Sequence, residues 1–302
     1  MENPMRHYSV AVFLGMIYIV ALMITIKTPL ILLYPLLLPA PFFIEGFFGR
    51  QRTRTVFLAF AFVVSILFFG WGSLFLTFYA LLSGYGLAYL IQKTLGPLES
   101  LGLLFLWLLI LNVVFLFGSL QLAGIQLQSW IDTLVAPLEH NVDMFWPEGS
   151  TTFQLFVSTL IIYMPYMLTL YSFLQAILLY VLYERLSRRF RSRHKPLPSI
   201  ATLSFPRWLL WLYFLFALLT YTGDPPISPS LDRRVIVNMF LITSTMLMLQ
   251  GMFFIYRWSK EKGSRMVWRM LALIALVLPP FDLILRLLGL YDLLMRQVKK
   301  TT

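Results

Sequence analysis

Apolar residues run along this chain in long blocks, separated by short polar or basic stretches. Nine blocks approach the roughly 20 residues that a helix needs to cross a bilayer. They are Tyr8–Ile26, Pro29–Phe48, Val56–Trp71, Leu74–Ile91, Leu101–Leu122, Phe153–Leu182, Trp208–Thr222, Val235–Tyr256 and Met270–Leu290. All are rich in Leu, Phe and Ile and lack the period-2 alternation of a membrane β-barrel. The pattern predicts an all-α, polytopic transmembrane helix bundle of eight to nine spans. The ninth block is the ambiguous one. Pro279-Pro280 interrupts it, so it either spans or ends as a re-entrant or interfacial segment. The sixth block is longer than a bilayer requires, and Pro165 within it predicts a kink. No small-x-small cleavage site follows the first block, which is therefore read as a span and not as a signal peptide.

Composition supports this pattern. Of the 302 residues, 59% are hydrophobic and only 12% charged, against about 25% charged in soluble domains. Mean hydropathy is +0.80. A soluble fold of this size could not bury so much apolar surface. The chain has no cysteine, which excludes disulfides, thiol catalysis and Cys-ligated metal.

The net charge of +11 is distributed unevenly. With the amino terminus on the cytoplasmic side, 17 Lys and Arg fall in inner connections and only Lys27, Arg233 and Arg234 in outer ones. The reverse orientation would invert this bias, so the positive-inside rule places the amino terminus in the cytoplasm. The densest basic run is Arg185–Lys195, RLSRRFRSRHK. It is an orientation signal first and a candidate contact for anionic lipid headgroups second. With Phe190 as its one aromatic, it offers no stacking platform for nucleic acid, which is not an expected partner. The connection from Gly124 to Thr152 differs. It holds Asp132, Glu139, Asp143 and Glu148 without Lys or Arg, and its apolar residues recur at helical spacing. An amphipathic helix on the outer interface is expected there, as a lid or a spacer.

Candidate chemistry is sparse. His7, His140 and His194 all lie outside the apolar blocks, so neither an intramembrane Ser-His dyad nor a His-based metal site is expected. No enzymatic activity, cofactor or metal site is predicted. Gly70-Trp-Gly-Ser73 is read as a turn between spans and not as a serine nucleophile. The polar residues inside the blocks are the informative ones. Glu45, near the end of the second block, is a candidate partner of Arg50 or Arg52. Asn112, Gln175, Asn238 and Gln250 are candidates for interhelical hydrogen bonds. Asp282 with Arg286, and Asp292 with Arg296, stand four residues apart and form candidate ion pairs on one helix face. Ala11 with Gly15, and Gly84 with Ala88, are small-xxx-small pairs that permit close helix contact.

The second half carries SFPRWLLWLYFLFALL, then NMFLITSTMLMLQGMFFIYRW, then LGLYDLLMRQVKK. Pro206-Arg-Trp208, Asn238, Gln250-Gly251 and Gly289-Leu-Tyr-Asp292 with Arg296 carry a resemblance to the YybS-like family of bacterial membrane proteins, found mainly in Firmicutes. PLLLPAPFF and the Gly49-Arg50 turn match more loosely. The resemblance implies a protein of the bacterial cell membrane. It further implies that the first six helices are similar to the S component of energy-coupling-factor vitamin transporters. On that reading residues 1–184 form a six-helix core, and 185–302 comprise the basic loop and added C-terminal helices. Ala11 and Gly15 then occupy the place at which an S component meets its membrane coupling subunit, which in turn binds ATPase subunits. The function so implied is small-molecule binding or transport. The alternative is a membrane scaffold that recruits envelope or signalling partners through its basic loops.

Overall fold

The computed structural model describes residues 4–27, 38–49, 51–93, 97–122, 124, 129, 150–189, 203–222, 231–261 and 279–301. These residues form nine helices and no strand. They are α1 (Pro4–Lys27), α2 (Pro39–Phe48), α3 (Gln51–Phe69), α4 (Ser73–Gln92), α5 (Pro97–Leu122), α6 (Ser150–Arg189), α7 (Trp208–Tyr221), α8 (Leu231–Glu261) and α9 (Pro279–Thr301). Four contain segments long and apolar enough to cross a bilayer: Ser73–Leu90, Leu98–Gln121, Ile161–Leu182 and Asp232–Ser259. Val12–Thr25, Thr53–Phe69 and Trp208–Tyr221 are shorter apolar helices.

Polarity is inverted relative to a soluble protein. Leu67, Phe68, Leu106, Ile110, Val114 and Phe117 point outward, while Ser65, Thr77, Ser83, Asn112, Ser172 and Gln175 are buried. Soluble folds hide their large apolar side chains. A bundle bathed in lipid has no such need, and must instead satisfy every polar group internally.

Parts of several apolar blocks lie outside the described residues. Of the block Pro29–Phe48, residues 39–48 form α2, and residues 29–37 lie outside the described residues. Pro279-Pro280 begins the last described helix, since proline at the first helical positions lacks only N–H groups that would be unpaired there, and the part of the ninth block before it lies outside the described residues. Most of the expected amphipathic loop 124–152, and the basic run beyond Arg189, lie outside the described residues.

By contact the chain divides into two compact units. One comprises Met1–His140 and Tyr171–Leu197, the other Asn141–Leu170 and Pro198–Thr302. Within the second unit, the first part of α6 is hydrogen-bonded to α8.

In the first unit, Leu14, Tyr18 and Leu22 of α1 pack with Phe42 of α2, Phe57 of α3 and Ala80 of α4. A second cluster joins Phe43, Leu87, Leu104, Leu108 and Leu179 across α2, α4, α5 and α6. The turn between α3 and α4 needs Gly70, which adopts φ +75°, a region most side chains avoid. The Ser73 hydroxyl closes this turn, lying 2.7 Å from the Gly70 carbonyl and 2.8 Å from that of Ser65. In the second unit, Leu209 and Leu210 of α7 pack with Leu247 of α8 and Leu293 of α9. Arg233 of α8 reaches back to the Leu219 and Thr220 carbonyls at the C-terminus of α7, which the helix itself leaves without partners.

Candidate functional site

Within the first unit, three amphoteric side chains form a closed ring. The Tyr79 hydroxyl of α4 donates to Asn112 Oδ1 of α5 at 2.8 Å. Asn112 Nδ2 donates to Gln175 Oε1 of α6, and to Ser172 Oγ, each at 2.9 Å. Gln175 Nε2 returns to the Tyr79 oxygen at 2.7 Å. All four residues are buried, so the ring fixes the register of three helices where no water competes. Asn112 and Gln175 thus come together, while Tyr79 and Ser172 enter as partners that sequence reasoning missed. A second polar string joins Tyr18 to Thr77 at 2.7 Å and Thr77 to Ser65 at 3.0 Å, linking α1, α4 and α3.

Glu45 accepts a hydrogen bond from Thr53 at 2.9 Å. The side chains of its expected partners Arg50 and Arg52 lie outside the described set. Arg54 instead donates to the Gly46 carbonyl at 3.1 Å, and Gln92 sits 3.3 Å from the Gly46 and Phe47 carbonyls. Both thereby satisfy the C-terminal end of α2. The small residues also find places. A Cβ on Gly15 would fall 2.4 Å from the Phe60 ring of α3, so this glycine faces a helix of its own unit. A Cβ on Gly84 would fall 2.6 Å from the Pro39 carbonyl, and the Gly46 Cβ 3.1 Å from that of Ala88, which defines a close α2–α4 crossing. The side chain of Ala11 lies outside the described set.

In the second unit, Gln250 accepts from the Phe205 amide at 2.9 Å and donates to Asp292 of α9. Arg257 pairs with the same Asp292 oxygen and donates to the Leu203 carbonyl at 3.0 Å. Two α8 side chains therefore hold both the segment entering α7 and the carboxylate of α9. Asp292 was expected to pair with Arg296, whose side chain lies outside the described set; the described partners are Gln250 and Arg257. Asp282 and Arg286 do meet, with Arg286 Nε 2.9 Å from Asp282 Oδ1. Gly251 and Gly289 bring the α8 and α9 backbones into direct contact. Their signal in the sequence was weak, since each is a lone glycine in its helix.

The family described as a predicted membrane protein family, DUF2232, matches residues 16–293. The chain belongs to this family. No curated protein and no solved structure matches it.

Among the described residues, this DUF2232 protein has a concavity of ligand size. A cavity of about 570 Å³ opens beside the Gly70–Ser73 turn, lined by Trp71, Leu74, Phe75, Phe78, Phe115 and Ser119 among others. Small-molecule sites typically span about 300–1,000 Å³. Phe75 and Phe115 stack with ring centroids 4.6 Å apart, and Gly118 makes room for the Phe75 ring, whose edge lies 2.7 Å from where a Cβ would stand. Among the described lining residues none is charged. Ser119 donates its proton to the Leu116 carbonyl at 2.8 Å, which leaves its oxygen lone pairs to accept a hydrogen bond. The wall suits an uncharged, lipophilic body bearing a single donor. The candidates Asn112, Gln175, Asn238 and Gln250 do not line this cavity, because their hydrogen bonds are made within the helix bundles.

Proposed function

We propose that this protein binds a lipophilic small molecule in the cavity beside Trp71, as the binding part of a transport or sensing system in the bacterial cytoplasmic membrane. The single observation that carries the reading is the aromatic, ligand-sized cavity with one acceptor in its wall. With the amino terminus in the cytoplasm, as the 17-to-3 charge bias supports, this cavity opens at the outer end of α4 and α5. The resemblance to the YybS-like family and to S components supports the same reading, since S components bind their ligands near the outer face. Coupling to further membrane and ATPase subunits, and the contact of Arg185–Lys195 with anionic headgroups, belong to this proposal.

N-phenyl-1-naphthylamine, an uncharged aromatic probe with one N–H donor, tests the site. Its fluorescence should titrate saturably with purified protein, at one probe per chain. Ser119→Leu, which fills the cavity, should weaken binding at least tenfold. Unsaturable partitioning, identical in both proteins, would contradict the proposal.

A second reading is the membrane scaffold. The observation that favours it is that the buried Asn and Gln side chains spend their hydrogen bonds holding helices together. On that reading the probe titration fails, and proteins co-purify through the basic loops instead.

A further inference from the structure

A proline inside a helix removes one backbone donor and crowds the preceding turn. Pro165 stands within the forty-residue α6. In an unbroken α-helix the next residue, Tyr166, would donate its N–H to the carbonyl of Ile162. Here the carboxamide of Asn238, from α8, serves both groups. Asn238 Oδ1 accepts from the Tyr166 amide at 2.8 Å, and Asn238 Nδ2 donates to the Ile162 carbonyl at 2.8 Å. Asn238 is buried at 3% exposure, in a region where an unpaired backbone group costs several kcal/mol. The Tyr166 hydroxyl lies 2.9 Å from Thr245 Oγ1, one further tie to α8 about two turns beyond Asn238.

We propose that the Pro165 turn is a hinge of α6 and that Asn238 is its latch. Two arrangements satisfy the same groups. In the latched one, described above, the carboxamide bridges Ile162 and Tyr166. In the released one, the Tyr166 N–H and the Ile162 carbonyl bond to each other and α6 tightens at the proline. Asn238 keeps a partner after release, because Nδ2 also lies 2.7 Å from the Arg234 carbonyl of its own helix. Both arrangements pair the Ile162 carbonyl and the Tyr166 amide, while release leaves Asn238 Oδ1 and one Nδ2 proton to find new partners, so the latched arrangement is the dominant one and the released one a minor state. The hinge lies five residues before Leu170, where α6 passes from one compact unit to the other. The inference is independent of the ligand cavity.

Spin labels at Gln154→Cys and Leu178→Cys, 24 residues apart and about 36 Å apart in a straight helix, read the bend. Because the chain contains no native cysteine, only these positions label. Pulsed dipolar spectroscopy in nanodiscs should give one dominant, narrow distance with Asn238 present. Asn238→Ala should add a second population, and Asn238→Ala with Pro165→Ala should return a single, longer distance. One unchanged distance in all three proteins would overturn the hinge. Should Asn238→Ala not accumulate, its level should recover in the double variant, whose helix needs no latch. Failure of Pro165→Ala to restore the level would show that Asn238 acts elsewhere, and would equally overturn the proposal.

Discussion

Replacing Gly289 by leucine is expected to separate α9 from α8. A Cβ at Gly289 would stand 2.1 Å from the Leu247 carbonyl oxygen, and one at Gly251 would stand 2.0 Å from that of Leu285. The obstructing atoms are backbone, so no rotamer change relieves the clash. Even Gly289→Ala should shift the midpoint of unfolding in mixed detergent micelles, by about 3 kcal/mol or the upper end of what overpacking usually costs. The leucine variant should not accumulate as folded protein. Gly102→Ala is the matched control. Nothing lies within 4 Å of its added Cβ, and alanine favours a helix over glycine by about 1 kcal/mol. It should therefore unfold at or above the wild-type midpoint. A wild-type midpoint for Gly289→Ala would contradict the described α8–α9 contact.

The second large effect is expected at Arg257. Its guanidinium pairs with Asp292, and the two side chains are only 18% and 8% exposed. Removing one partner of a buried pair leaves an uncompensated charge, at a cost of about 3–5 kcal/mol. The residual exposure of Arg257 puts Arg257→Met near the lower figure, about 3 kcal/mol, and the Leu203 carbonyl loses its donor as well. Replacing both charged residues, as Arg257→Met with Asp292→Leu, removes the stranded carboxylate. The double variant should be more stable than Arg257→Met alone, although Gln250 then loses an acceptor. Strict additivity of the two single variants, in detergent-mediated unfolding, would show that the charges do not interact.

The helices were legible in the sequence because each is a long apolar block between polar connections, and lipid removes the alternative of a half-exposed strand. Asn112, Gln175, Asn238 and Gln250 could be singled out because polar groups are rare in such blocks. Their partners could not be read. Tyr79 and Ser172 are common residues in an apolar helix, and only the rotation of α4 and α6 about their axes aims them at Asn112. Asn238 bonds to backbone, which has no sequence signature at all; only Pro165 hinted that a carbonyl and an amide there would need an outside partner. The small-xxx-small spacing drew attention to Ala11 and Gly15, whereas Gly251 and Gly289 touch across different helices with no spacing between them to recognise. The aromatic cavity was equally invisible, since phenylalanines that line a void read the same as phenylalanines that face lipid.

The bundle is expected to cross the membrane repeatedly, with its basic connections on one side. Single cysteines test it directly in a chain that has none of its own. Ser150, at the start of α6, and Ser192, in the basic run, flank the longest helix from opposite ends. An impermeant maleimide added to intact cells should label Ser150→Cys and leave Ser192→Cys unlabelled until the membrane is permeabilised. Labelling of Ser192→Cys alone would reverse the orientation, and labelling of both in intact cells would contradict a crossing between them.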